Sequence, residues 1–192
     1  ALLVTVFATP LAIRAAHRFG ELDLPDQQFK PHARPTPYLG GAAICLGWTT
    51  ALVISMARGT VDWHLLLPIL IGGVALAVLG LVDDVRRVSP KVRLAVGAVI
   101  IAAVMLTTGA GLDLVGSIAR PLGIHVPPAL AHSVSFVVGL VIVLGAVNST
   151  NLIDGLDGLC TGVTAIISLG FFLLAMHLAA WGFSQTGDPV RL

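Results

Sequence analysis

The chain has 192 residues, of which 56% are hydrophobic and only 11% are charged, and its mean hydropathy is +0.96. Soluble domains usually carry about 25% charged residues, so this composition excludes a soluble protein and indicates an integral membrane protein. The formal net charge of +1 gives no electrostatic reason to expect a nucleic acid as partner. The two cysteines, Cys45 and Cys160, fit neither a metal-binding spacing nor a disulfide framework.

Stretches without charged residues, long enough to cross a bilayer, recur along the chain. A helix needs about 20 apolar residues to span the hydrocarbon, and backbone groups in lipid must be satisfied internally. We therefore expect an all-α polytopic bundle with six transmembrane helices in this chain, the first of them partial. The predicted spans are Ala1–Ile13, Leu39–Ala57, Leu65–Val82, Leu94–Leu112, the second half of Pro121–Val147, and Gly158–Gly187.

The six spans divide the connecting loops into two sets on opposite sides of the membrane. Eight Lys and Arg residues fall on the loops Arg14–Tyr38, Asp83–Arg93 and Asn148–Asp157, whereas three fall on the other set. Because Lys and Arg are concentrated in cytoplasmic loops, we predict that the first set faces the cytoplasm. We expect one transmembrane domain over residues 1–192, incomplete at both ends, since the chain is apolar from Ala1 onwards.

Two adjacent carboxylates, Asp83 and Asp84, close the third predicted span at its cytoplasmic end. A helix C-terminus carries partial negative charge, so two acids there are unfavourable unless a cation is near. Mg²⁺ prefers oxygen ligands and often bridges carboxylates to substrate phosphates. One carboxylate would then hold metal while the other accepts a proton. The alternative is an interfacial loop whose acids pair with Arg86, Arg87 or Lys91.

A second polar segment follows the fifth predicted span, with polar residues at every third position and two glycines among them. The segment reads Asn148-Ser-Thr-Asn151-Leu-Ile-Asp154-Gly155-Leu156-Asp157-Gly158. We expect the fifth span to end here, so that amide and carboxylate groups converge on a base, a ribose or a metal. The alternative is an ordinary turn, because Asn, Asp and Gly are common turn residues.

A third segment lies in the first predicted cytoplasmic loop, where three prolines within seven residues impose an extended path. Lys30, His32 and Arg34 alternate along it and can share one face. Such a strip suits phosphate binding, and the alternative is a positively charged membrane anchor.

Together the three segments resemble the polyprenyl-phosphate N-acetylhexosamine-1-phosphate transferases, a superfamily known as glycosyltransferase family 4. The resemblance rests on the order Asp83-Asp84, Ser89-Pro90-Lys91 and Asn148-x-x-Asn151-x-x-Asp154-Gly-Leu-Asp157-Gly-Leu. It implies a fold of ten or eleven transmembrane helices in the bacterial plasma membrane, with a cytoplasmic active site. It also implies dependence on Mg²⁺, with Mn²⁺ as a substitute, and a homodimer.

The resemblance implies that Asp83 and Asp84 are catalytic and bind the metal, without saying which of them takes a proton. It implies substrate binding by Lys30, His32, Lys91, Asn148, Asn151, Asp154, Gly155, Leu156 and Asp157. Two departures from the family stand out. The third aspartate of the family's metal site has no counterpart in this chain, and Phe29 stands where an Arg is common.

The reaction implied by the resemblance moves phospho-N-acetylglucosamine from a UDP-sugar to undecaprenyl or decaprenyl phosphate and releases UMP. Such a step starts lipopolysaccharide, teichoic acid or arabinogalactan synthesis, and its partners are the two substrates and the lipid bilayer. Three alternatives remain: UDP-MurNAc-pentapeptide as donor, an inactive truncated relative, and half of a membrane transporter. A transporter is disfavoured because no Asp, Glu, Lys or Arg lies inside the five complete spans.

Overall fold

The structure, a computed structural model, describes residues 1–20, 22–23, 36–37, 39–59, 61–86, 88–154 and 158–186. Five of the predicted site residues lie outside these ranges: Lys30, His32, Gly155, Leu156 and Asp157. The described residues form α1 (Leu2–Phe19), β1 (Leu22–Asp23), β2 (Thr36–Pro37), α2 (Gly40–Ala57), α3 (Trp63–Arg86), α4 (Pro90–Thr108), α5 (Leu114–Ala119), α6 (Pro128–Ile153) and α7 (Leu159–Thr186). The antiparallel pair β1–β2 is two residues long on each side.

Six of these helices, all except α5, are long and apolar enough to cross a membrane. The prediction of an all-α polytopic bundle with six transmembrane helices is thereby confirmed. The first span is longer than predicted, because α1 continues past Ile13 and Arg14 to Phe19. It ends at Gly20, whose φ of 75° is left-handed and whose N–H donates to the Ala16 carbonyl. A glycine cap, rather than the first charged residue, ends this helix.

Helices α3 and α4 are joined by a short connection that follows the predicted acidic site. Helix α3 extends beyond the predicted end at Val82, so that both aspartates are helical. Helix α4 starts at Pro90, where a proline loses no helical hydrogen bond. The Ser89 hydroxyl caps it by accepting from the Val92 N–H at 3.4 Å. The Ser-Pro pair of the sequence signature is therefore a helix start.

Helix α6 also extends further than predicted, to Ile153. Asn148 and Asn151 are therefore helical, and the predicted loop start at Asn148 is wrong. The physical reason is that Asn costs a helix only a few tenths of a kcal/mol more than most residues. The helix ends at Ile153, and Asp154 is the first residue after it.

Small residues bring the membrane helices together in chain order, α1 against α2, α2 against α3 and α3 against α4. A Cβ at Gly47 of α2 would lie 2.0 Å from the Thr5 Oγ1 of α1. One at Gly72 of α3 would lie 2.2 Å from the Val104 Cγ2 of α4. Because lipid supplies no hydrophobic driving force between helices, such close backbone approach is what holds them together.

The chain divides into two compact units, Ala1–Leu144 and Gly145–Leu192, and the boundary falls within α6. The first unit contains α1 to α5 and most of α6. The second contains the last turns of α6 and all of α7. No residue of the candidate span Leu159–Trp181 in α7 is buried inside the structure. Such a surface suits lipid or further helices. The single domain over residues 1–192 stays a prediction.

Candidate functional site

The last turn of α3 presents two carboxylates in different surroundings. Neighbouring residues on a helix point about 100° apart, so Asp83 and Asp84 diverge from the axis. The Asp83 side chain is only 15% exposed, whereas Asp84 is exposed at the surface. The two carboxylates therefore differ in environment, and the different tasks that the sequence analysis expects of them stay a prediction.

Asp83 pairs with Arg93, a residue that the sequence interpretation did not single out. The Arg93 Nη1 donates to the Asp83 Oδ2 at 2.6 Å, and the Arg93 side chain is 29% exposed. The two residues are ten positions apart and belong to different helices. The short connection between the two apolar segments could have indicated this contact. A sharp reversal between two helices places the last turn of one beside the first turn of the next.

The first turn of α4 carries positive charge and no acidic residue. Lys91 lies in this turn and is exposed. The N-terminal end of a helix also carries partial positive charge and unpaired backbone N–H groups, which together attract anions. The α3–α4 connection thus brings the Asp83 carboxylate into contact with Arg93, while Asp84 and Lys91 lie in the same two helix turns. This combination can serve a phosphate together with a divalent cation.

The second compact unit has a polar end of its own. Asn148 is half-buried, while Asn151 and Asp154 are exposed. On a helix, residues three positions apart differ by about 60° in direction, so Asn148 and Asn151 occupy adjoining sectors of α6. Their amides can donate and accept hydrogen bonds with a nucleobase or a ribose.

The donor set of the described residues fits part of a magnesium site. Among the residues that the structure describes, no three His, Cys, Asp or Glu side chains lie close enough to hold a metal ion together. Mg²⁺, however, is usually bound by one or two carboxylates plus substrate phosphates and water. The paired aspartates Asp83 and Asp84 can supply the protein's share of such a set.

A different polar region lies at the opposite end of the first unit, around α5. The Arg120 guanidinium pairs with the Asp113 carboxylate across this short helix, and the buried Ser135 Oγ accepts from the Val115 N–H at 2.9 Å. His125 and His132 line one open cavity of about 320 Å³ here.

The fold defines a multi-pass membrane protein with six candidate spans. The chain matches the model of glycosyl transferase family 4 over residues 66–186, a range that includes both aspartates and the polar end of α6. The protein belongs to this family. The resemblance seen in the sequence motifs is thereby confirmed.

Similar proteins carry two kinds of name. The chain is 28% identical over 183 residues to the decaprenyl-phosphate N-acetylglucosaminephosphotransferase of Mycobacterium leprae, covering 93% of this chain and 45% of that protein. It is 30% identical to the undecaprenyl-phosphate alpha-N-acetylglucosaminyl 1-phosphate transferase of Thermotoga maritima, covering 97% of this chain and 55% of the relative. It is 33% identical to the phospho-N-acetylmuramoyl-pentapeptide-transferase of Kineococcus radiotolerans, covering 90% and 54%.

The chain spans about half the length of the curated relatives it matches. No solved structure matches it.

Proposed function

We propose that this protein transfers a phospho-N-acetylhexosamine from a UDP-sugar to a polyprenyl phosphate and releases UMP. The observation that carries the proposal is the pair Asp83-Asp84 in the last turn of α3, with Asp83 in contact with Arg93 in the first turn of α4. This arrangement lies within the stretch that matches glycosyl transferase family 4. Relatives named for the transfer of N-acetylglucosamine phosphate to decaprenyl and undecaprenyl phosphate support it.

In the proposed reaction, a phosphate oxygen of the polyprenyl phosphate attacks the β-phosphorus of the UDP-sugar. A new P–O bond forms there, and the bond from the β-phosphorus to the bridging oxygen breaks, so UMP leaves with that oxygen. One diphosphate linkage replaces another. The protein therefore has little covalent chemistry to perform, and its task is to position two anions and to offset their charge.

The described residues divide this task between them. Lys91 lies at the positive end of α4 and would hold a substrate phosphate. Asp83 and Asp84 would hold Mg²⁺, which bound there would offset the charge of the diphosphate. One of the two would also accept the proton of the attacking phosphate. By the family resemblance alone, Asn148, Asn151 and Asp154 would bind the uridine.

We place the site on the cytoplasmic side of a bacterial plasma membrane. The excess of Lys and Arg on the predicted loops of that side supports this orientation. A cytoplasmic surface next to the bilayer gives a soluble UDP-sugar and a lipid-borne phosphate access to the same groups. A homodimer is part of the proposal by family resemblance alone.

We favour UDP-N-acetylglucosamine as the donor, because Lys30-x-His32 and Asp83-Asp84-x-x-x-x-Ser89-Pro90-Lys91 resemble that subgroup more than the muramyl-pentapeptide subgroup. The test uses membranes that contain the full-length product of the gene encoding this chain. Each UDP-sugar is supplied with undecaprenyl or decaprenyl phosphate, and UMP release and the lipid product are measured. Transfer from the muramyl donor alone would reverse the choice of sugar, and no transfer from either would overturn the function.

A further inference from the structure

We infer that Arg93 is a positioning residue that fixes the Asp83 carboxylate for the transfer reaction. The inference rests on the proposed function and adds to it a residue outside the predicted site. Its basis is the contact at 2.6 Å between the Arg93 Nη1 and the Asp83 Oδ2, which crosses from the first turn of α4 to the last turn of α3.

Both charges stand at the less favourable end of their own helix. Asp83 adds negative charge to the C-terminal end of α3, which is already partly negative, and Arg93 adds positive charge to the N-terminal end of α4. Neither position helps its helix in isolation. Joined in one ion pair, the two charges offset each other and tie the two helix ends together.

The surroundings of the pair make the contact strong and directional. The Asp83 side chain is 15% exposed and that of Arg93 is 29% exposed, so water screens the pair less than it screens a surface pair. A charge-assisted hydrogen bond of this length is also stronger than one between neutral groups. Arg93 therefore holds the carboxylate of Asp83 in one rotamer.

The contact leaves the chemistry of Asp83 available. Arg93 engages Oδ2, and a carboxylate has a second oxygen and several lone-pair sites that can accept from, or coordinate, another group. A carboxylate without this anchor would move among its rotamers. Misplacement by about 1 Å costs a reaction of this kind about 100-fold in rate. Removal of Arg93 should thus lower turnover more than it weakens donor binding.

The test compares Arg93→Met, Arg93→Lys and the wild type in the full-length gene product, by UMP release from UDP-N-acetylglucosamine and polyprenyl phosphate. For Arg93→Met we expect kcat to fall about 10- to 100-fold, while the KM for the UDP-sugar changes by less than about threefold. Arg93→Lys should recover a part of kcat, because an ammonium keeps the charge but lacks the planar fork of the guanidinium.

Two further variants separate positioning from a general loss of stability. Arg120→Met breaks the Arg120–Asp113 pair at the other end of the unit, and we expect its kcat to stay within about twofold of the wild type. In an Asp83→Asn background, Arg93→Met should cause little additional loss, because the carboxylate it holds is absent. Thermal unfolding of each variant shows how much of any loss in activity follows the amount of folded protein.

The outcomes are distinct. An inert wild-type protein overturns the proposed function and the inference with it. An active wild type with an equally active Arg93→Met variant overturns the inference alone. A raised KM with unchanged kcat also overturns it, since Arg93 would then bind the donor. A loss of activity that follows the loss of stability in both Arg93 variants overturns it as well, since Arg93 would then only hold the two helices together. A fall in kcat with partial rescue by Arg93→Lys supports it.

Discussion

The two ends of the first compact unit each carry an Arg–Asp ion pair, and the pairs differ in what they join. At the α3–α4 connection, Arg93 and Asp83 belong to two long helices and are largely shielded. At the opposite end, Arg120 and Asp113 flank the six-residue helix α5, with side chains 69% and 52% exposed. The same two residue types thus form a shielded link in one place and a local surface contact in the other.

The comparison shows that a salt bridge has to be judged by its burial and by the elements it connects. An exposed pair between near neighbours gains little, because water screens it and the side chains lose rotamer freedom. At the α5 end the shape depends instead on Ser135, which is fully buried and accepts from the Val115 N–H. At the α3–α4 end the ion pair itself joins the two helices, and its acid, Asp83, belongs to the proposed site.

The largest expected difference between the two ends concerns the aspartates. Asp83→Asn or Asp84→Asn should lower turnover about 10²- to 10⁴-fold, because the amide keeps the shape but neither accepts a proton nor carries charge for a cation. Asp113→Asn, the matched change at the opposite end, should leave turnover nearly intact. Rates of UMP release for the three variants decide the matter. Wild-type turnover in both Asp83→Asn and Asp84→Asn would remove the site from this connection.

A second difference concerns exposed cations. Lys91→Met should lower kcat/KM about 10- to 100-fold, since a charged hydrogen bond to a phosphate contributes about 1.5–3 kcal/mol. Arg58 follows the end of α2 and is also exposed. It lies on the predicted outer side, so Arg58→Met should change kcat/KM little. Steady-state kinetics with each substrate varied in turn measures both, and equal effects of the two variants would contradict phosphate binding by Lys91.

A third difference concerns stability at the α5 end. Ser135→Ala removes the acceptor of the Val115 N–H and should lower the free energy of unfolding by about 1–3 kcal/mol. Ser133→Ala is the matched control, because the exposed Ser133 hydroxyl donates only to the Ala129 carbonyl of its own helix among the contacts described. Denaturant unfolding in detergent micelles compares the two. Equal stability losses would show that the buried contact contributes nothing of its own.

The smallest expected effect is that of the exposed pair. Arg120→Met should change the free energy of unfolding by less than about 1 kcal/mol, and the change should shrink further in high salt. Unfolding curves at low and high ionic strength provide the measurement. A large loss that salt does not reduce would mean that this pair is as shielded in solution as the one at the α3–α4 connection.

The composition and charge-free runs determined the membrane class and the number of spans, because lipid requires long apolar helices whatever their neighbours are. The paired aspartates and the polar segment that begins at Asn148 were also evident, since each is a local pattern. The helix start at Ser89-Pro90 was not predicted, because the fourth span was placed from Leu94. Helix ends were less accurate. Charge marked the end of α1 too early, because that helix stops where its cap forms at Gly20. Polar residues marked the end of α6 too early, because a helix tolerates Asn at little cost.

Only the tertiary structure decided which groups meet. It paired Asp83 with Arg93 across ten positions and brought Ser135 to the Val115 N–H across twenty. It also gave Asp83 and Asp84 different exposures. The sequence alone leaves these contacts open, because hydropathy and propensity act within one helix. A contact between helices depends on how their surfaces pack, and here small residues such as Gly72 set that approach.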